Sequence, residues 1–266
     1  MKKRLIGGFF VAAITLIIFL SGGIVTAAIL TVVSLIGLYE FMRVYSLEKT
    51  PLAILNYIGT VVVYGLLYLE QSRFLFPFLI LLLMLTLSIY VICFPQYKDH
   101  EIAKSFFGFV YITIFLSYVF RIRAMDSGLL LCFFILISSW GNDIFAYFVG
   151  SAIGKHKFSP KVSPNKSVEG FIGGIAGAAL LGYLFALIFG IGKGVPFSGL
   201  YCAVIAAIGS IPAVIGDLAA SAIKRDNEIK DYSNLIPGHG GMVDRIDSVL
   251  FTAPIIYYLV ILFNIV

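Results

Sequence analysis

The sequence predicts an all-α, polytopic integral membrane protein with about nine transmembrane helices and a cytoplasmic amino terminus. Three observations carry that class. Of the 266 residues, 60% are hydrophobic and only 12% are charged, about half the charged share usual in soluble domains. The apolar residues fall into nine runs, too long and continuous to be strands. The basic residues divide unequally between the connections.

A spanning helix needs about 20 mostly apolar residues. On that measure Leu5–Leu20 is a short first span. Its MKKR start resembles a signal peptide, but further apolar runs follow at once, which favours a retained helix. Ile24–Phe41, Leu52–Leu69 and Phe74–Phe94 come next, then a short run, Phe106–Phe120. Gly128–Val149, Gly170–Gly190, Leu200–Ala222 and Ser248–Val266 complete the set. Nine spans from a cytoplasmic start put fifteen of the 19 Lys and Arg residues inside, Lys2, Lys3 and Arg4 among them. Only Arg73, Arg121, Arg123 and Lys193 remain outside. A miscounted span would scramble this division. The net charge of +5 therefore belongs to a membrane surface and implies no nucleic acid. Cys93, Cys132 and Cys202 are odd in number and set in apolar runs, so they read as packing residues, with no disulfide and no zinc site. Residues 1–125 are N-terminal membrane helices that shape either a lipid pocket or a homodimer contact. Residues 126–266 form the catalytic part and contain the two longest connections, Gly150–Glu169 and Ile223–Asp247, both on the cytoplasmic side.

Ionisable residues inside spans are costly and mark function by default. Asp143, beside Asn142, and Asp217 each lie seven residues before the cytoplasmic end of a span. At 1.5 Å per residue both sit roughly 10 Å deep, a shared depth that suits one cytoplasmic cavity. The plainer reading is that each caps a kink or bonds to a neighbouring helix, with Gly141, Pro212 and Gly216 loosening the spans. Asp217, Ser221 and Lys224 share one helical face, which leads into KRDNEIKDYSNLIPGHGGMVDRID, nine charged residues and a histidine between two apolar spans. Asp244 and Asp247, three apart at the start of the last helix, suit a hard cation such as magnesium; the plain alternative is an acidic first turn favouring the helix dipole. Gly238, Gly240 and Gly241 precede that helix. They let backbone approach a ligand, and a helix amino terminus attracts anions. Lys224, Arg225, Lys230 and Arg245 add phosphate-binding cations. Aspartates mixed with cations imply a metal–polyphosphate complex. His239 either bonds phosphate or stabilises the glycine turn. In GKHKFSPKVSPNKSVEG, Ser163, Lys166 and Ser167 precede a helix whose first turn holds Glu169, a suitable anion site. His100 and His156 are lone loop histidines without a special role.

The stretch from Ser221 to Asp247 resembles the signature of the phosphatidate cytidylyltransferase family, also called CDP-diacylglycerol synthase. Ser221, Lys224, Arg225, Lys230, Asp231, Ser233, Ile236, Pro237, His239, Gly240, Gly241, Asp244, Arg245 and Asp247 all fit its pattern. Asn142 to Lys155 and Ser163 to Gly170 are also similar to the family; the first five helices carry only a general hydropathy likeness. The resemblance implies CTP and phosphatidic acid as substrates, CDP-diacylglycerol and pyrophosphate as products, magnesium at two cation sites, and a bacterial inner membrane with the active site facing the cytoplasm. It further implies Asp217 and Asp244 as metal ligands, joined by Asp143 and Asp247. Lys224, Arg225, Lys230 and Arg245 bind triphosphate. Lys166 with Ser163 and Ser167 holds a phosphate-bearing substrate, and Asn142, Ser221, Gly240 and Gly241 complete the substrate shell. Glu169 and His239 orient it, while Asp231 pairs with a cation. The competing readings are a CTP-dependent polyprenol- or phytol-type kinase, a synthase for an archaeal-type lipid phosphate, and a transporter lined by Asp143 and Asp217.

Overall fold

The computed structural model describes residues 2–190, 198–236 and 238–263, without the side chains of residues 2–6 and 10. Lys193 and Pro237, and the side chains of Lys2, Lys3 and Arg4, lie outside the described residues. The described chain is helical throughout its apolar runs: α1 (Lys2–Ser21), α2 (Gly23–Val44), α3 (Pro51–Tyr68), α4 (Ser72–Ile92), α5 (Asp99–Arg123), α6 (Gly128–Ile153), α7 (Val168–Phe189), α8 (Gly199–Asp226) and α9 (Val243–Leu262). The last eight are long and apolar enough to cross a membrane; within α1 the apolar stretch is the shorter Gly7–Ser21. Large side chains face outward along them, as on α4, where Phe76 is 73% and Ile92 81% exposed. So much outward apolar surface is stable only against lipid, and the protein is a polytopic helical membrane protein. One connection holds a feature absent from the sequence reading, an antiparallel hairpin of β1 (Lys157–Ser159) and β2 (Ser163–Ser167).

The chain divides into two units. The first comprises Met1–Arg121 and Asp231–Arg245, the second Ile122–Lys230 and Ile246–Val266. The glycine-rich signature turn therefore folds with the N-terminal helices. The first unit is packed by large side chains: Leu38, Phe41, Met42, Phe109 and Ile112 are fully buried. Polar pairs join its helices: Ser34 to Tyr64 at 2.8 Å, Thr60 to Thr113 at 2.8 Å, and Asn56 Nδ2 to Ser105 Oγ at 2.8 Å. Such bonds help to hold helices together where lipid removes the hydrophobic drive.

The second unit uses small residues instead. On α7, Gly170, Gly173, Gly174 and Gly177 form one stripe against α6, and a Cβ on any of them would overlap that helix. Gly182 meets the carbonyl of Cys202 on α8, and Gly216 of α8 meets the carbonyl of Asp247 on α9. Backbone-to-backbone packing of this kind fixes helices closely. Cys132 and Cys202 are buried free thiols, which agrees with their reading as packing residues. Inside α6, Ile137–Gly141 forms a π-helical turn just before Asn142 and Asp143. Insertions of this type recur at functional sites because they re-aim the residues that follow.

Candidate active site

In the second unit, the Asn142–Asp143 step, the hairpin and the start of α7 border a cavity of about 450 Å³. Asn142 is fully buried, and its Nδ2 and Oδ1 make no well-formed hydrogen bond, although its side chain bears on the neighbouring Asp143 carboxyl. A buried amide left this way is rare and needs an explanation such as a ligand, ion or water. Asp143, next along α6, is exposed on the cavity wall. Lys166, near the end of β2, reaches Asp217 of α8, with Nζ 2.5 Å from Oδ2. Lys166 and Asp217 both act on the charge of Asp143. A lysine and two carboxylates from three elements thus converge, although 74 positions separate Asp143 from Asp217 in sequence.

The hairpin is what aims Lys166. Ser167, the residue after it, caps α7 by accepting the Gly170 amide at 3.1 Å. Glu169 in the first turn of α7 accepts the backbone amides of Lys155 and His156 and pairs with His156 Nδ1 at 2.6 Å. His156 is therefore half of a clamp that closes the base of the hairpin, a role its isolation in sequence concealed. Phe158 stacks on Phe171 with ring centroids 5.0 Å apart and holds the hairpin to α7. Ser163 begins β2 and lines the cavity. Gly174 permits the buried placement of Asn142: a Cβ there would overlap Asn142 Oδ1. Gly174→Ala is accordingly expected to cost about 1–3 kcal/mol by overpacking, read as a lowered thermal midpoint in detergent, and to reduce activity by displacing Asn142.

Ser221, Lys224 and Arg225 follow Asp217 along α8, the last two in its final turn, where cations complement the helix dipole. The helix ends as Ile229 donates its amide to the Lys224 carbonyl at 2.9 Å. Lys230 is exposed beyond it. On α9, Asp247 is buried, and its Oδ1 accepts the Ser248 amide at 2.7 Å.

In the first unit, the signature turn is built around two carboxylates. Asp244 Oδ2 accepts the amides of Tyr232 and Gly241, each at 2.9 Å. Glu40, near the carboxyl end of the chain's second helix, is 3% exposed. It accepts the Ser233 hydroxyl at 2.5 Å and the amides of Met242 and Val243 at 2.9 Å. Ile236 and Gly240 form a tight bridge, with Gly238 and Gly240 at φ 79° and 83°, where a side chain is disfavoured. Gly241 has no space for a Cβ beside the Glu40 carboxylate.

This geometry changes the reading of the turn. The amides at the start of α9 do meet an anion, as their partial positive charge requires, but that anion is protein. Met242 and Val243 donate to Glu40 and Gly241 donates to Asp244, so these three N–H groups are engaged by protein carboxylates. Gly240 and Gly241 shape the turn. His239 Nδ1 and Arg245 Nε are both buried without a hydrogen-bond partner, and His239 sits against Gly8 of α1. Glu40 escaped the sequence reading although it carried the same signal as Asp143 and Asp217, a carboxylate within an apolar span.

Fold and site define a polytopic membrane protein whose polar groups gather into a carboxylate–lysine cavity and a carboxylate-held glycine turn. Residues 2–263 match the family model described as Cytidylyltransferase family. The chain belongs to that family. It is 32% identical to a phosphatidate cytidylyltransferase of Bacillus subtilis, over 99% of each chain. It is also 32% identical to a phosphatidate cytidylyltransferase of Haemophilus influenzae, over 97% of this chain and 98% of that one. A phosphatidate cytidylyltransferase of Thermotoga maritima is 35% identical over 74% of this chain and 72% of its own length.

Proposed function

We propose that this protein transfers CMP from CTP to phosphatidic acid, giving CDP-diacylglycerol and pyrophosphate in phospholipid biosynthesis. The Lys166–Asp217 pair beside Asp143 and the buried Asn142 amide carries this reading, in a chain matched to its family over nearly its whole length. A phosphate monoester is largely a dianion near neutral pH, its second pKa being about 6. One of its oxygens can attack the α-phosphorus of CTP without a strong general base; the new P–O bond forms as the bond to pyrophosphate breaks. The difficulty is repulsion between a dianion and a polyanion. Fixed charges that position both reactants supply most of the catalysis in such transfers.

The residues suit that task. Lys166 supplies a positive charge held in place by Asp217. Lys224, Arg225, Lys230 and Arg245 provide the further cations proposed to bind triphosphate and steady departing pyrophosphate. Asp143 and Asp217, with the Asn142 carbonyl oxygen, form a hard oxygen donor set. Magnesium takes one or two carboxylates and completes its shell with substrate phosphates and water, so a donor set of this size would suffice to hold it. When bound it would neutralise developing charge on the phosphates. Asp244 and Asp247 are each proposed as a carboxylate ligand for a further ion.

The charge asymmetry of the connections and the bacterial relatives support a site at the cytoplasmic face of a bacterial inner membrane. Label position tests the reaction. CTP labelled at the α-phosphorus is expected to label lipid when phosphatidic acid and magnesium are present. Label entering only from the γ-phosphorus would make the protein a lipid kinase instead.

A further inference from the structure

The first unit holds two cavities of about 750 Å³ each. One is mostly apolar but carries polar groups on its wall: Tyr39 and Arg43 of α2, Tyr57 of α3, and Ser233 and Asn234 of the signature turn. The other is almost wholly apolar and runs between α1 and α2, past Ile14, Ile17, Val32 and Val33. They share Ile36 and Leu235 on their walls, so they adjoin in a groove along α2. Its spine is a single face of α2, on which Val32, Ile36, Tyr39 and Arg43 recur at three- and four-residue spacing. At 1.5 Å per residue, Val32 to Ile36 spans roughly 6 Å and Ile36 to Arg43 roughly 10 Å.

The Tyr57 and Ser233 hydroxyls donate to the Glu48 carbonyl and to Glu40, and an oily trough ending in the Arg43 guanidinium and the Tyr39 phenol matches one kind of molecule, an amphiphile with an anionic head. Arg43 is the cation of the polar end. The Glu40 carboxylate also borders that end, but its charge is directed at Ser233 and two amides, which leaves Arg43 to set the preference. The polar end is partly walled by the signature turn itself, through Ser233 and Asn234.

We infer that the α1–α2 groove is a binding site for a single lipid phosphate, its head between Arg43 and the signature turn and a chain lying along α1. Its identification with phosphatidic acid rests on the proposed cytidylyltransferase reading; its preference for an anionic head does not. Of the two tasks left to the N-terminal helices by the sequence, lipid pocket or dimer contact, the groove favours the first.

The test uses the full chain in mixed micelles. A phosphatidic acid carrying a photoactivatable acyl chain should label peptides containing Ile14–Ile17 or Val32–Ile36. Unlabelled phosphatidic acid should suppress that labelling at least tenfold better than phosphatidylcholine. Ile36→Trp, which plugs the shared neck, should raise the KM for lipid about tenfold and leave the KM for CTP unchanged. Arg43→Glu should abolish the head-group preference in the labelling. Ile80→Trp, on the outward face of α4 (Ile80 is 48% exposed), should change none of these. Labelling spread evenly over outward helix faces, or equal competition by phosphatidylcholine, overturns the inference and makes the groove a berth for bulk lipid. Wild-type protein that labels in the groove but never transfers α-label overturns the reaction and leaves the site standing.

Discussion

Asp217→Asn is expected to lower CMP transfer by on the order of 10³-fold while the protein remains folded. Removing one preorganised electrostatic group from an active site costs about 10²–10³ in rate, and Asp217 is proposed to serve twice, as a metal ligand and as the anchor of Lys166. The cost to stability should be modest. The side chains of Lys166 and Asp217 are 25% and 30% exposed, but Lys166 Nζ is itself buried, so the pair lies between a surface pair worth at most about 1 kcal/mol and a buried one whose breaking costs about 3–5 kcal/mol. A thermal midpoint lowered by several degrees, beside a rate that falls far more than any lost folded fraction explains, is therefore the expected pattern. Lys166→Ala approaches the pair from the other side. If Asp217 only positions Lys166, the double variant will be no slower than Lys166→Ala. If Asp217 also holds magnesium, Asp217→Asn will be the slower single variant and will need more magnesium for half-maximal rate. Turnover above a tenth of wild type in Asp217→Asn would remove the residue from the mechanism.

Helix type was legible because lipid imposes a length and a hydropathy on every span; the nine apolar runs correspond to α1–α9, of which the last eight are long and apolar enough to cross a membrane. The hairpin was not, because its strands are short, polar and basic and show no period-two burial. The π turn before Asn142 leaves no mark in a run such as ILISSWG that reads as ordinary helix. At the site, Asp143, Lys166 and Asp217 were each picked out by chemistry. Their meeting was visible only as matched depths for the two aspartates, and the lysine that joins them comes from a loop. The signature turn was the reverse case. Its residues were plain, but the partner that organises them is Glu40, 193 positions before Ser233. A carboxylate that completes a distant turn looks, in sequence, like an isolated charge in a helix.

Glu40→Ala is expected to destabilise the protein by about 3–5 kcal/mol and to cut turnover at least a hundredfold. Glu40 is 3% exposed and accepts from three donors, Ser233 Oγ and the amides of Met242 and Val243. Removing one member of a buried charged network costs about 3–5 kcal/mol, since the partners stay buried and unpaired. Alanine also leaves a void where the carboxylate packs on Gly241. Glu40→Gln separates charge from shape. The amide keeps the length and one acceptor oxygen, but its NH₂ must face an N–H or the Ser233 hydroxyl, and the helix N-terminus loses its counter-charge. An intermediate loss of stability is expected, with activity between wild type and Glu40→Ala. Because Glu40 acts through the turn, it is a positioning residue. Ser233→Ala should therefore be far milder than Glu40→Ala, as it leaves both amide bonds of the carboxylate intact. Equal effects of Glu40→Ala and Ser233→Ala would show that the hydroxyl, not the clamp on the start of α9, is what Glu40 serves. Wild-type stability and turnover in Glu40→Ala would mean that the turn holds its shape through Asp244 alone.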